Sequence, residues 1–261
     1  MEINLKNKTA WVFGGSRGIG RSIAITLSRA GASVVLVSRS SIALQKVKEE
    51  LCVSMGQEHD IIAVDMTNTE KLVSKFKNYR NLGALDIIVN NSGGPRSGSA
   101  HTADLDEYSS AFSQHVLAAQ VITKIGLPIM KKKQFGRIIN IISTSVKQPI
   151  RGLGVSNTIR GAMANWSKTL ASELGPFGVT VNNILPGATE TGRLISLIKN
   201  QSLALGVSEE SVVEKMKKTI PVGRFAKPEE VAYVVAFLCS TYAAYINGTN
   251  IPVDGGRTGC L

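Results

Sequence analysis

One stretch near the start of the chain restricts the fold more than any other. The apolar run Thr9–Phe13 passes directly into Gly14-Gly15-Ser16-Arg17-Gly18-Ile19-Gly20, and an amphipathic helical pattern then runs over Gly18–Ala30. Strand, glycine turn and helix in that order form the opening unit of a dinucleotide-binding sheet. Gly14 permits the tight turn. Gly18 and Gly20 let backbone amides and the helix approach a pyrophosphate, whose charge rests at the helix N-terminus. Ser16, Arg17 and Ile19 complete the cradle. A lone glycine turn is more often structural; its setting between strand and helix makes this one a cofactor site.

The same alternation continues through the chain. Short apolar runs at Ser33–Ser38, Asp60–Asp65, Asp86–Asn90, Gly136–Ile142, Val179–Ile184 and Asn250–Val253 read as strands. Helical patterns separate them at Ser41–Met55, Glu70–Tyr79, Leu105–Lys132, Leu153–Leu174, Glu190–Asn200, Glu209–Thr219 and Pro228–Cys239. Strands alternating with helices predict an α/β doubly wound parallel sheet of about seven strands, covered on both faces. The 261 residues carry no linker, repeat or low-complexity stretch, so residues 1–261 read as a single domain. Gly175-Pro176 predicts a helix stop with glycine as the left-handed cap. Pro228-Glu229-Glu230 reads as a first turn, with acids at the positive end of the dipole. Ile159, Met163, Trp166, Leu170 and Leu174 recur at helical spacing as a buried or interface stripe.

Composition narrows the class further. Hydrophobic residues at 43% and charged residues at 19% suit a globular chain. The net charge of +11 favours anionic ligands or acidic partners. Aromatics are only 5% and none interleaves with Lys131-Lys132-Lys133, which argues against a nucleic-acid platform and leaves charge-driven association as its weak alternative. Cys52, Cys239 and Cys260 are unpaired in sequence and the three histidines are scattered, so no metal is expected and a reducing cytoplasm is. The N-terminal residues lack an apolar signal core, and no apolar run reaches the ~20 residues of a membrane span.

About twenty residues beyond the glycine loop, NAD-selective sites carry an acid that binds the ribose 2′-hydroxyl. This chain reads Ser38-Arg39-Ser40 there. Nothing repels a 2′-phosphate, Arg39 can pair with one, and Arg17 offers a second cation. NADP(H) is therefore the expected cofactor, with NAD(H) the weaker alternative.

At this point the chain resembles the short-chain dehydrogenase/reductase family over nearly its whole length. Gly14-x-x-x-Gly18-x-Gly20 matches the family's glycine motif, although Phe13 replaces the usual threonine. Asp65-Met66 matches the adenine-contacting pair, and Asn90-Asn91-Ser92-Gly93 the Asn-Asn-Ala-Gly motif. Ser143 falls on the catalytic serine, and Pro186-Gly187, with Thr189 after it, on the segment contacting the nicotinamide half. Val253-Asp254-Gly255-Gly256 matches the last strand and turn. The branch it resembles is the 3-oxoacyl-acyl-carrier-protein reductases, and within it a subgroup with an incomplete catalytic tetrad.

The tetrad the resemblance implies is Asn, Ser, Tyr and Lys. Here those positions read His115, Ser143, Ser156 and Arg160, so only the serine is retained. Ser156 and Arg160 are four apart and share a helix face. A serine hydroxyl is far less acidic than a phenol, and arginine does not readily release a proton. Arg160 can still bind ribose hydroxyls. The proton must then come from His115, whose unperturbed pKa suits the task, from Lys147 in the loop after Ser143, or from bound water. A structural histidine and a solvated lysine are the plain readings of those two. Tyr79, Tyr108, Tyr233, Tyr242 and Tyr245 all lie outside the motif.

On the substrate side, Arg96, Lys147, Arg151 and Arg193 follow strand C-termini and, with Arg160, predict a positive pocket for a carboxylate, a phosphate or an acyl thioester. Segment 190–219 is the expected lid, with Ser208 capping its second helix. Its Leu194, Ile195, Leu197, Ile198, Leu203 and Leu205 either line an acyl pocket or pack the lid, and packing is favoured. Lys131–Lys133 balances a helix C-terminus or docks an acyl carrier protein. The expectation is a cytoplasmic NADP(H)-dependent oxidoreductase of a carbonyl or secondary alcohol, assembled as a homo-oligomer, tetramer or dimer. The alternative is a catalytically weak dinucleotide sensor or oligomer partner.

Overall fold

Residues that branch at Cβ or carry long apolar side chains fill the strands, and the pleat sends them alternately to two sides. In the computed structural model, which describes residues 2–79 and 81–260, β1 (Thr9–Phe13) turns Val12 to one side and Trp11 and Phe13 to the other. Val12 packs with Ile23 and Leu27 of α1 (Gly18–Arg29), Leu44 of α2 (Ser41–Glu49) and Val235 of α9 (Pro228–Cys239). Trp11 and Phe13 pack with Phe76 of α3 (Thr69–Lys77), Ile122 of α5 (Ala118–Lys133) and Leu174 of α6 (Gly154–Leu174). Two apolar layers thus sandwich one sheet.

That sheet has seven strands, all parallel, in the order β3-β2-β1-β4-β5-β6-β7. The others are β2 (Ser33–Ser38), β3 (Asp60–Ala63), β4 (Leu85–Asn90), β5 (Gly136–Ile141), β6 (Val179–Pro186) and β7 (Asn250–Val253). The predicted doubly wound architecture is therefore present. The order reverses between β1 and β4, where such sheets open their ligand crevice. Every residue of β4 is buried, as a central parallel strand requires.

Four local expectations change. The helix read through Met55 stops at Glu49, and the Ser28 hydroxyl takes the Cys52 amide at 3.1 Å, turning the chain away. The left-handed cap after α6 is Gly178 (φ 70°), not Gly175, which is right-handed; a 3₁₀ turn over Gly175–Phe177 separates them. The helix read as Glu190–Asn200 is α7 (Gly192–Leu205), which begins only after Thr191 can cap it. The single helix read over Leu105–Lys132 is two, α4 (Leu105–Phe112) and α5, joined by a π-helical turn at Ser113–Leu117. That turn buries His115 and Val116. The expected cap of α8 (Glu209–Lys218) holds, the Ser208 hydroxyl accepting the Ser211 amide, and α9 begins at Pro228 as read, with the Glu230 carboxylate also accepting the Lys227 amide at 2.7 Å.

Candidate active site

The cradle is defined by backbone. Gly14 and Gly18 have φ of 61° and 54°, a region that side-chain-bearing residues rarely enter. A Cβ on Gly20 would run into the Gly14 carbonyl oxygen, and one on Gly14 would stand 2.6 Å from Asn91 Nδ2. The Asn91 amide in turn donates to the Phe13 and Gly14 carbonyls at 3.2 and 3.3 Å, pinning the β4 loop to the glycine loop. No side chain caps α1, so its N-terminal dipole faces the turn between Gly14 and Gly18. A close backbone approach and a free helix N-terminus are the donor set a pyrophosphate needs, and a dinucleotide fits.

The other predicted cofactor residues lie at or after the C-terminal ends of the parallel strands. Arg17, directly before α1, and Arg39, directly after β2, are both exposed. The Ser38 hydroxyl is buried without a hydrogen-bond partner among the described residues. Asp65 accepts from the Thr67 amide and hydroxyl at 2.9 and 2.8 Å, which holds its carboxyl below the ordinary range, with the Arg39 charge assisting. Met66 borders a small cavity behind the loop after β4. Ser16 precedes α1 and Ile19 lies in its first turn, while Pro186 ends β6 and Gly187 and Thr189 follow it. Thr189 is buried and bridges Ala226.

The residues expected to carry the reaction lie one strand over. Ser143 lies two residues past β5, capping the 3₁₀ turn Thr144–Val146, and its hydroxyl accepts the Ser145 amide at 3.1 Å. Lys147 follows on the same 3₁₀ turn, half-buried, and its carbonyl accepts the Cys260 thiol at 3.6 Å. Ser156 and Arg160 are both buried on α6. Arg160 donates from Nη1 to the Ile141 carbonyl at 3.0 Å, and burial, with the Arg193 charge behind it, lowers its guanidinium to about 10. It therefore stays charged at neutral pH. Arg193, on α7, donates to the Pro95 carbonyl at 2.6 Å and so ties the lid segment to the loop after β4. Neither arginine has a carboxylate partner among the described residues.

His115 joins these residues from the π turn. Its Nδ1 is 2.7 Å from the Ser92 hydroxyl, and its ring also meets the Gly93 carbonyl. Burial, and next the Arg160 charge, hold the imidazole well below its ordinary value of 6.5. The ring is neutral at physiological pH. Ser92, His115, Ile142, Arg160 and Met163 share a cavity of about 10 Å³, close to the ~10–15 Å³ one water requires.

Two features escaped the sequence reading. Asn90, Asn140, Asn183 and Asn250 stand in register on β4 to β7. Successive amides donate at 2.8, 3.0 and 2.8 Å, locking the strand ends that carry the site. Asparagine inside an otherwise β-branched strand was the available signal. Thr191, which caps α7 and stands 3.2 Å from a Cβ built on Gly18, brings the lid against the glycine loop. The lid's apolar residues divide: Leu194 and Ile198 pack with Val212, Ile220 and Phe225, while Ile195, Leu203 and Leu205 are exposed. A cavity of about 510 Å³ lies between Leu194, Ile195, Ile198 and Phe225, and neither Ser143 nor Ser156 borders it. Lys133 bonds the Ala84 carbonyl and Asp86, and Lys131 covers the Phe177 ring, so two of the three lysines have structural work.

Comparison with known proteins agrees with this geometry. The profile of the family described as enoyl-(acyl carrier protein) reductase matches residues 14–258. The 3-oxoacyl-[acyl-carrier-protein] reductase FabG of Aquifex aeolicus is 34% identical over 98% of this chain and 99% of its own length. The NADPH-dependent reductase BacG of Bacillus subtilis is 31% identical over 97% and 98%. Among solved structures, L-sorbose reductase from Gluconobacter frateurii, complexed with NADPH and L-sorbose, superposes with a TM-score of 0.91 at 30% identity, all of both chains being covered. The chain belongs to the short-chain dehydrogenase/reductase family of oxidoreductases.

Proposed function

We propose that the protein is an NADP(H)-dependent oxidoreductase that interconverts a carbonyl and a secondary alcohol, with a 3-oxoacyl reductase-like substrate and a rebuilt reaction centre. The observation that carries this reading is the meeting of two halves at the β1–β4 crevice. One is the glycine cradle, closed by Asn91. The other is a buried, charged Arg160 beside the end of β5, whose Ile141 carbonyl it holds. The absence of an acid after β2, with Arg39 and Arg17 exposed nearby, supports NADP(H), as do the NADPH-dependent relatives.

When bound, a reduced nicotinamide supplies the hydride. Arg160 holds the nicotinamide ribose by hydrogen bonds from its remaining guanidinium nitrogens. Ser143 binds the substrate oxygen, and Ser156 orients it from the adjoining turn of α6. Arg160 and Arg193 together favour an anionic substrate. None of the tyrosines takes the missing phenol's place: Tyr108 donates to the Ala100 carbonyl, and none borders the Arg160 cavity. Residues 190–219 act as the lid, latched by Arg193. The chain assembles as a homo-oligomer, a tetramer or dimer, through α4–α5 and α6, where Leu105, Phe112 and Leu117 are exposed. Among the described residues no helix is long and apolar enough to cross a membrane; the cysteine usage fits the cytoplasm.

The test is NADPH oxidation by the purified protein across carbonyl substrates that include 3-oxoacyl thioesters, with Ser143→Ala beside it. Turnover that falls by roughly 100-fold or more in the variant is the expected result. Tight NADPH binding with no turnover on any substrate would replace this reading with that of a dinucleotide sensor.

A further inference from the structure

Ser92 stands where the resemblance leads one to expect alanine, and His115 where it leads one to expect asparagine; the fold brings the two side chains together. Their hydrogen bond is 2.7 Å long, and either partner can hold the proton. A local device creates this contact. The π turn at Ser113–Leu117 carries an extra residue per turn relative to α-helix and buries the imidazole behind the loop that follows β4. Gln114 reinforces the loop by donating to the Gly93 carbonyl at 2.8 Å.

The pair lies beside residues of the proposed reaction centre. Asn90 of β4 is in register with Asn140 of β5, so Ser92 lies two residues past that rung and Ser143 three past it. Ile142, the neighbour of Ser143, lines the same cavity as Ser92, His115 and Arg160. Ser92 itself is half-buried while His115 is buried, so the pair runs from the partly exposed loop into the interior. The groups facing the imidazole are known from every side. Arg160 on α6 is the charged one; Asn90, Asn91 and Ser92 from β4 and its loop, Gln114 beside it, Met66 after β3, Ile141 of β5 and Met163 of α6 are uncharged.

We propose that Ser92 and His115 form the proton relay of this site, in place of the absent phenol. This rests on the oxidoreductase reading above. In the reducing direction the carbonyl oxygen becomes an alkoxide as the hydride reaches its carbon. The Ser92 O–H bond breaks as the new alcohol O–H bond forms, and the proton on His115 Nδ1 passes to Ser92 Oγ. The ring is left neutral and takes its next proton from solvent. In the oxidising direction the same two transfers run backwards. The lowered basicity of the ring makes its protonated form a strong acid but a scarce one. Reduction should therefore slow as pH rises across the neutral range, while oxidation should hold level there and fall only in acid.

The test uses the full-length protein with NADPH and ethyl acetoacetate, a small 3-oxo ester, from pH 5.5 to 9. Ser92→Ala should lower kcat by roughly 100-fold without raising the KM for NADPH, and should flatten the pH profile. Ser92→Thr, which restores a hydroxyl, should recover most of both. A Ser92→Ala enzyme within threefold of wild type and with the same pH slope would overturn the relay while leaving the oxidoreductase reading intact. A second readout needs no turnover. In ¹⁵N spectra of the histidine rings, the His115 signals, assigned by their loss in His115→Gln, should stay neutral at pH 6 and shift in Ser92→Ala. Titration near 6.5 with no response to Ser92→Ala would overturn the pairing itself. A wild type that reduces no carbonyl compound would remove the oxidoreductase reading, and the relay with it, whatever the spectra show.

Discussion

The glycine cradle and the α6 wall face each other across one crevice, yet sequence constrains them in different ways. In the cradle, function belongs to the backbone. Gly14, Gly18 and Gly20 are needed for what they lack, and the space a Cβ would take is filled by Asn91 and by the loop's own carbonyl. On α6 the scaffold is permissive: the same helix carries Ser156 and Arg160 on one buried face whatever chemistry those side chains perform. A cradle can only be kept or lost. A reaction centre can be refitted on an unchanged frame, and the proposal above makes His115, Ser92 and Arg160 such a refit.

Two glycines break this comparison most directly. Gly20→Ala sets a methyl against the Gly14 carbonyl, where only backbone could yield. Overpacking of this kind costs about 1–3 kcal/mol, so NADPH affinity should fall roughly 5- to 150-fold. Gly161, next to Arg160 on α6, is exposed and has nothing within 4 Å of a built Cβ. Gly161→Ala should leave NADPH affinity alone and raise stability by about 0.5–1 kcal/mol, the ordinary helical gain over glycine. Fluorescence titration and thermal melts of both variants decide the point. Equal effects on cofactor binding would mean that the two regions are not constrained differently.

The same contrast governs what could be read before the fold was known. Strand, glycine turn and helix were legible because the backbone demands particular residues there, and the seven strands followed from their short β-branched runs. Ser143, Ser156 and Arg160 were singled out by the family resemblance, and the fold sets the last two on one buried face of α6. What was not legible is how side chains meet across elements. The π turn has no signature in Ser113-Gln-His-Val-Leu117, since its extra residue is fixed by tertiary packing. The Ser92–His115 contact depends on that turn. The asparagine row needs four strands in register before any amide finds the next, and no local pattern encodes register. Lid packing was favoured over an acyl pocket, and the contacts of Leu194 and Ile198 are of the packing kind.

A smaller effect sharpens the comparison within the cradle. Arg39 is exposed, so its contribution to a bound 2′-phosphate is one charge-assisted contact in a solvated setting. Arg39→Ala should weaken NADPH by roughly tenfold, about 1.4 kcal/mol, and leave NADH affinity unchanged. The ratio of the two dissociation constants is the measurement. An unchanged ratio would move the selectivity to Arg17.

The weakest expected effect separates a histidine that serves structure from one that serves the site. His59 Nδ1 accepts the Val34 amide at 3.0 Å, and its other nitrogen lies 2.9 Å from the Cys52 carbonyl, so the ring is neutral with its proton on Nε2 and protonation would break the Val34 contact. Burial lowers its pKa, as burial and then Arg160 lower that of His115. With a folded pKa below the unfolded 6.5, the unfolded chain binds more protons as pH falls, and stability drops below about pH 6.5. The melting temperature at pH 5.5 should lie below that at pH 7.5. His59→Gln keeps a side chain that can accept the Val34 amide without titrating, and it should shrink that difference while sparing any turnover. His115→Gln should shrink it too, but at the expense of turnover. If both variants reduce the pH dependence of the melt and neither touches activity, His115 is a structural histidine like His59, and the refit of the reaction centre does not include it.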